Sequence, residues 1–278
     1  MANCEIIDLL IYLLIYLLLY YIMIFQYISD IHLEHMYKKH MVGMCKKILP
    51  LCPLMILGGD IGDPYSELYD LFLRDMSSKF ETVILICGNH EFYNNYINET
   101  LIQVKKICDK YGIVFLHNQV HKYNGYSIIG STMWSNVIGV MSEINDTMCI
   151  KDISVQKYQT MHDESIEFII GTLTECRELG ENVIMLTHHL PSLSLIDEKF
   201  QVPQYYMSQP WFATNLDELI ETNNDIIKVW IYGHTHMSNE SELYGVKMLC
   251  NPVGNPCEDT KFVHSKVFEL KNNYLDHK

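Results

Sequence analysis

Val83-Ile-Leu-Ile-Cys-Gly-Asn-His-Glu91 is an apolar run that ends in glycine and then presents an amide, an imidazole and a carboxylate at consecutive positions. Val83 to Ile86 show no polar alternation, which reads as a strand buried on both faces. Gly88 lets the backbone turn sharply at the strand's end. Functional groups in open α/β sheets gather at the carboxyl ends of strands, so this turn is where chemistry is expected. Four other stretches have the same grammar. They end in Asp30-x-His32, Gly59-Asp60-x-x-Asp63, Thr187-His188-His189 and Gly233-His234-x-His236.

Outward from these turns the chain alternates short apolar runs with helical spacing. Strands are expected at 23–28, 54–57, 83–86, 113–116, 126–129, 183–186, 226–232, 246–250 and 262–270. Helices are expected at 35–48, 66–80, 94–110, 152–179 and 216–220. Two weakly patterned stretches, 131–152 and 193–211, are expected to cover the site and carry specificity. The alternation specifies an α/β fold. No internal repeat or low-complexity linker divides the chain, so residues 23–278 are taken as one catalytic domain preceded by an apolar extension, residues 1–22.

The five turns offer carboxylates, imidazoles and one amide, and no cysteine. That donor set suits Mn²⁺, iron or Zn²⁺ in five- or six-fold coordination better than a thiolate zinc site. It is too large for one ion and sufficient for two sharing a carboxylate. The ordered set closely resembles the signature of the calcineurin-like metallophosphoesterases: Asp-x-His, Gly-Asp-x-x-Asp, Gly-Asn-His-Asp/Glu, His, Gly-His-x-His. The resemblance implies a four-layer α-β-β-α sandwich with metals at one rim. It implies one ion held by Asp30, His32, Asp60 and His236, and a second held by Asp60, Asn89, His188 and His234. A bridging hydroxide would attack phosphorus in a phosphomonoester or phosphodiester. His90 would protonate the leaving oxygen, oriented by Asp63. The fourth block leaves two candidates, because neighbours at a strand end face opposite ways. His188 fits Thr-His-x-x-Pro with Pro191, and His189 is the alternative ligand. Cys87 stands where the protein Ser/Thr phosphatases of this superfamily carry Arg, which argues against a phosphoprotein substrate.

The remaining sequence bounds the reading. The chain has 278 residues, 49% hydrophobic and 19% charged, enough for a sizeable core. A net charge of −14 argues against a general nucleic-acid-coating protein. It disfavours a nuclease without excluding one, since bound divalent metals would add positive charge locally, and a nuclease stays an alternative function. A small phosphorylated substrate is expected instead. Nine scattered cysteines without a Cys-x-x-Cys pair read as reduced thiols, hence a cytoplasmic protein. Residues 6–22 are almost wholly apolar. They leave open an extension before a functional start at Met23, a membrane contact, or a cleaved signal. A membrane-tethered, catalytically silent binding protein is the corresponding alternative function. His35, His40, His117, His121, His162, His264 and His277 are read as structural, Glu91 as a helix-start charge, and Asn251-Pro252-x-Gly254 as a plain turn or a loop beside the ligands.

Overall fold

The structure, a computed structural model, describes residues 22–136, 145–202 and 209–271. Among the described residues, eleven strands form two sheets. In the first, β1 (Ile22–Ile28), β2 (Leu54–Leu57), β3 (Thr82–Leu85) and β4 (Val114–Phe115) run parallel, and β11 (Val267–Lys271) closes the edge antiparallel to β1. The second has the order β5 (Gln119–Tyr123), β6 (Tyr126–Ser131), β7 (Asn182–Thr187), β8 (Ile227–Ile231), β10 (Val246–Cys250) and β9 (Asn239–Leu243). Its four inner strands are parallel and its two outer ones antiparallel.

Alternation along each inner strand builds the layers. Phe25 and Tyr27 of β1, Ile56 of β2 and Ile84 of β3 point into a core shared with Ile128, Ile184, Leu186, Val229 and Leu249 of the second sheet. Their neighbours Met55, Leu57, Val83 and Leu85 face the other way, onto α1 (Lys38–Lys47), α2 (Glu67–Lys79) and α3 (Ile97–Tyr111). The outer face of the second sheet packs on α5 (Val155–Leu179) and α6 (Asp217–Thr222) through Ile169, Leu173 and Ile220. The four-layer sandwich follows from strands that are apolar on both faces. A short helix, α4 (Asn145–Cys149), precedes α5. Ser66 caps α2 by accepting the Tyr69 amide, and Gly180 ends α5 in the left-handed region.

The two sheets are joined at the rim where the expected ligands lie. Ser29, just after β1, bridges to Pro252, just after β10. Asn251 locks this junction: its Nδ2 donates to the carbonyls of Tyr27 and Val263, and its Oδ1 accepts from the Val263 amide. Asn251-Pro252-x-Gly254 is therefore the seam between the sheets.

Three expectations change. β5 and β9 were not legible as strands; they are polar, half-exposed edges rather than apolar runs. α4 falls within the stretch read as an unpatterned cover. The third concerns localisation, expected as cytoplasmic with membrane association through residues 6–22 as the alternative. Among the described residues no helix is long and apolar enough to cross a membrane. Ile22, the last residue of that segment, is paired with Lys271 in the sheet. The segment thus loses its end to β1, and residues 6–21 lie outside the described residues.

Ile84 is fully buried between the sheets, whereas Ile102 on α3 is 70% exposed. Ile84→Ala is expected to lower the unfolding free energy by about 2–5 kcal/mol, and Ile102→Ala by well under 1 kcal/mol. Urea titrations of both variants measure this; equal losses would contradict the layer assignment.

Candidate metal centre

Each expected ligand sits one to five residues beyond a strand, where the chain turns across the rim. Asp30, His32, Asp60, His234 and His236 all have positive φ, between 49° and 68°. Left-handed backbone at a residue with a Cβ costs on the order of 1 kcal/mol or more, and such residues gather at functional sites. The turns also pack too closely for side chains at their glycines. A Cβ on Gly59 would lie 2.4 Å from the Gly88 amide nitrogen, and one on Gly88 would lie 2.2 Å from Asp60 Oδ1.

Buried Glu91 ties the two central turns together. Its Oε2 accepts the amides of Gly88 and Asp60, and its Oε1 those of Ile61 and Gly62. It is an internal anchor rather than a solvated helix-start charge. Burial, with Asp60 adding repulsion, pushes its carboxyl up to about 7.

The expected ligands supply two sets of donor atoms, each with its members within 4.8 Å of one another, Asp30, His32 and His236, and Asp60, His188 and His234; a third such set, His32, Glu34, His35 and His90, flanks them. Asp60 lies between the sets. Its Oδ2 is 3.2 Å from His188 Nε2 and 3.8 Å from His32 Nε2, while Oδ1 accepts the His90 amide. His32 Nε2 and His236 Nε2 approach to 2.9 Å. Asp30 Oδ1 accepts the His234 amide, and Oδ2 is buried with no hydrogen-bond partner. Asn89 donates through Nδ2 to Asp146 Oδ1 and the Tyr93 hydroxyl, which turns its Oδ1 toward His188 Nε2, 3.2 Å away. A buried carboxylate oxygen without a donor, imidazoles paired through Nε2 and an outward-turned amide oxygen fit divalent cations.

Outer partners fix the imidazoles. His188 Nδ1 donates to the Gly58 carbonyl, His32 Nδ1 to Glu34 Oε1 and His236 Nδ1 to Glu258 Oε2. Such contacts select the tautomer that presents Nε2 to a metal. Burial pushes His188 and His32 down, but their carboxylate neighbours outweigh it and raise them to about 10 and about 9. Burial pushes Asp60 up, and His188, His90 and His32 together hold it well below the usual carboxylate range.

The two adjacent histidines separate as a strand end requires. His188 is in the second donor set. His189 points away: its Nδ1 lies 3.2 Å from the Thr132 carbonyl, and its buried Nε2 has no partner. Its ring packs 4.4 Å from that of His234. Burial and the charge of His188 push it down to about 3.

His90 lies at the mouth, stacked on Tyr93 at 4.1 Å and edge-on to His32 at 4.4 Å. The carboxylate at its Nδ1 is Glu34, 2.9 Å away. Asp63, the expected partner, accepts the Tyr65 amide through Oδ1 and the Ser66 amide and hydroxyl through its carbonyl. It therefore shapes the turn into α2. The sequence reading missed Glu34, Asp146 and Glu258. None lies in a strand-end block of ligand-type residues, and only the spacing of Glu34, two residues after His32, offered a signal.

A cleft of about 450 Å³ opens over this rim. Asp60, Asn89, His90, His234 and His236 form its floor; Asp146, Lys199, Phe200, Trp211 and Phe212 are among its walls. The stretches expected to cover the site therefore do contribute to it.

The calcineurin-like phosphoesterase family profile matches residues 25–238, and the chain belongs to that family. An uncharacterized protein of Acanthamoeba polyphaga mimivirus is 28% identical over 284 residues, covering 91% of this chain and 99% of its own. Among solved structures, phosphopantetheinyl hydrolase of Mycobacterium tuberculosis shares the fold at 17% identity, with a TM-score of 0.64 over 84% of this chain and 89% of its own. A dimetal phosphatase from Danio rerio does so at 15% identity, with a TM-score of 0.51 over 82% and 86%.

His189 generates a pH prediction. Its folded pKa lies below the unfolded 6.5, so the unfolded chain binds a proton that the folded one refuses. Its contribution is intact above pH 6.5 and is lost as pH falls toward 3, at about 1.4 kcal/mol per pH unit. Denaturant unfolding of chelated protein from pH 7 to 5 is expected to show a shallower acid-side loss in His189→Asn than in the wild type. An unchanged slope would contradict the assignment.

Proposed function

We propose that the protein is a metal-dependent hydrolase of small phosphomonoesters or phosphodiesters with a dinuclear centre. One cation would be held by Asp30, His32, Asp60 and His236, and the other by Asp60, Asn89, His188 and His234. The observation that carries this reading is the position of Asp60 Oδ2, close to His188 of one donor set and His32 of the other. Bound divalent cations such as Mn²⁺, iron or Zn²⁺ would supply Lewis-acid charge and lower the pKa of water, which is the chemistry phosphoester hydrolysis needs.

The protein's own groups supply the rest. Buried Asp60 and Asp30 concentrate negative charge where cations bind. Asn89 is held by Asp146 and Tyr93, so its acceptor oxygen is already aimed when a ligand arrives. His90, partly exposed at the mouth, is placed to donate a proton to the leaving oxygen. The cleft has room for more than a phosphate. Trp211, Phe212 and Phe200 offer apolar faces, and Lys199 offers a cation. Net charge of −14 disfavours a nucleic-acid substrate. The complete donor set disfavours a silent binding protein, because two buried carboxylates among histidines cost stability unless used.

Hydrolysis of p-nitrophenyl phosphate and bis-p-nitrophenyl phosphate is expected to stop after chelation and to return with Mn²⁺. Asp60→Asn and His90→Ala are each expected to lower kcat by about 10²–10⁴-fold while thermal unfolding stays cooperative. Chelation without effect, or full activity in both variants, would overturn the reading.

A further inference from the structure

We propose that Glu34, not Asp63, is the positioning carboxylate of this centre, and that one of its oxygens fixes both a metal-binding imidazole and the proton donor. This rests on the roles given above to His32 and His90. The chain leaves β1 through left-handed His32 (φ 51°) into a 3₁₀ turn, Leu33–His35. That reversal folds the Glu34 side chain back over the rim. Its Oε1 lies 2.9 Å from His32 Nδ1 and 2.9 Å from His90 Nδ1. Both rings thus donate Nδ1–H to the same atom, and each keeps Nε2 for its own task. His32 Nε2 turns inward, 3.8 Å from Asp60 Oδ2. His90, clamped between the Tyr93 face and the His32 edge, stands at the cleft. When its Nε2–H bond breaks and the proton moves to the leaving oxygen, the electron pair stays on Nε2 and Nδ1–H remains on Glu34.

Asp63 does not share this role. Its carboxylate is engaged by the Tyr65 amide at the start of α2. Glu34 is two residues from His32 in sequence but 56 from His90, so it links two strand ends that share no other side-chain carboxylate bond among the described residues.

The experiment compares Glu34→Ala, Glu34→Gln, Asp63→Asn and wild type. Glu34→Gln retains an acceptor oxygen and guards against a folding defect in the alanine variant. In metal-free protein, slowly exchanging imidazole N–H resonances of His32 and His90 are expected in the wild type and in Asp63→Asn, and are expected to be lost in Glu34→Ala. Calorimetric titration of the same samples with Mn²⁺ is expected to show one cation bound about 10–100-fold more weakly in Glu34→Ala. In turnover, Glu34→Ala is expected to lose at least about ten-fold more kcat on phenyl phosphate than on p-nitrophenyl phosphate, because a poor leaving group needs the proton donor more. Glu34→Gln should recover much of this ratio, and Asp63→Asn should leave it at the wild-type value. A ratio that moves in Asp63→Asn and not in Glu34→Ala, or N–H resonances that persist in Glu34→Ala, would overturn the proposal. Wild-type protein without metal-dependent hydrolysis would instead overturn the phosphoesterase reading, while the resonances still decide the place of Glu34.

Discussion

The rim is organised around a carboxylate that has no access to water. Glu91 gathers four backbone amides from two turns that are far apart in the chain, and so sets the positions of Asp60 and Gly88 relative to each other. An isolated ionised carboxylate in such a place would be prohibitive; four N–H donors offset most of that cost. The residual strain shows in its upward-shifted carboxyl, which feels Asp60 beside it. Positive charge at the neighbouring donor sets would relieve that repulsion. The anchor and the ligand sets are thus electrostatically complementary halves of one arrangement.

Much of this was written locally. β1, β2, β3, β7, β8 and β10 are predominantly apolar runs, broken inside only by Gln26, Lys228 and Lys247, and a strand that must be buried twice has few alternatives. Polar residues immediately after such runs have to emerge at one rim, which is why Asp30, Asp60, Asn89, His188 and His236 could be named before any coordinates. The edges β5 and β9 carried no such signal, since an edge strand needs only one apolar side and here scarcely has that. The choice between His188 and His189 required the twist of β7, which the sequence does not state. Glu34, Asp146 and Glu258 act by folding back onto residues up to 57 positions away, a relation that no local pattern encodes.

Electrostatics at the rim follow one rule, that acceptors and donors are satisfied from outside the donor sets. Gly58, Glu34 and Glu258 take the Nδ1 protons, and Asp146 and the Tyr93 hydroxyl take the amide protons of Asn89. The inward-facing imidazole Nε2 atoms and carboxylate oxygens are left facing one another, with Asp60 Oδ2 3.2 Å from His188 Nε2 and 3.8 Å from His32 Nε2. Without cations, the protons on His188 and His32 balance the charge of Asp60. The turns that hold these groups are tied to one another by Glu91, and the sheets beneath them by Asn251.

The seam and the cleft walls answer to different masters. Asn251 and Pro252 bind strand to strand, whereas Lys199, Phe200, Trp211 and Asp146 belong to excursions that leave the sheet and return to it. The excursions are not all independent of the rim, because Asp146 is bonded to Asn89 and Tyr93. Change confined to Lys199, Phe200 and Trp211 would alter only the cleft wall, whereas change at Asp146 would also release the Asn89 amide that it holds.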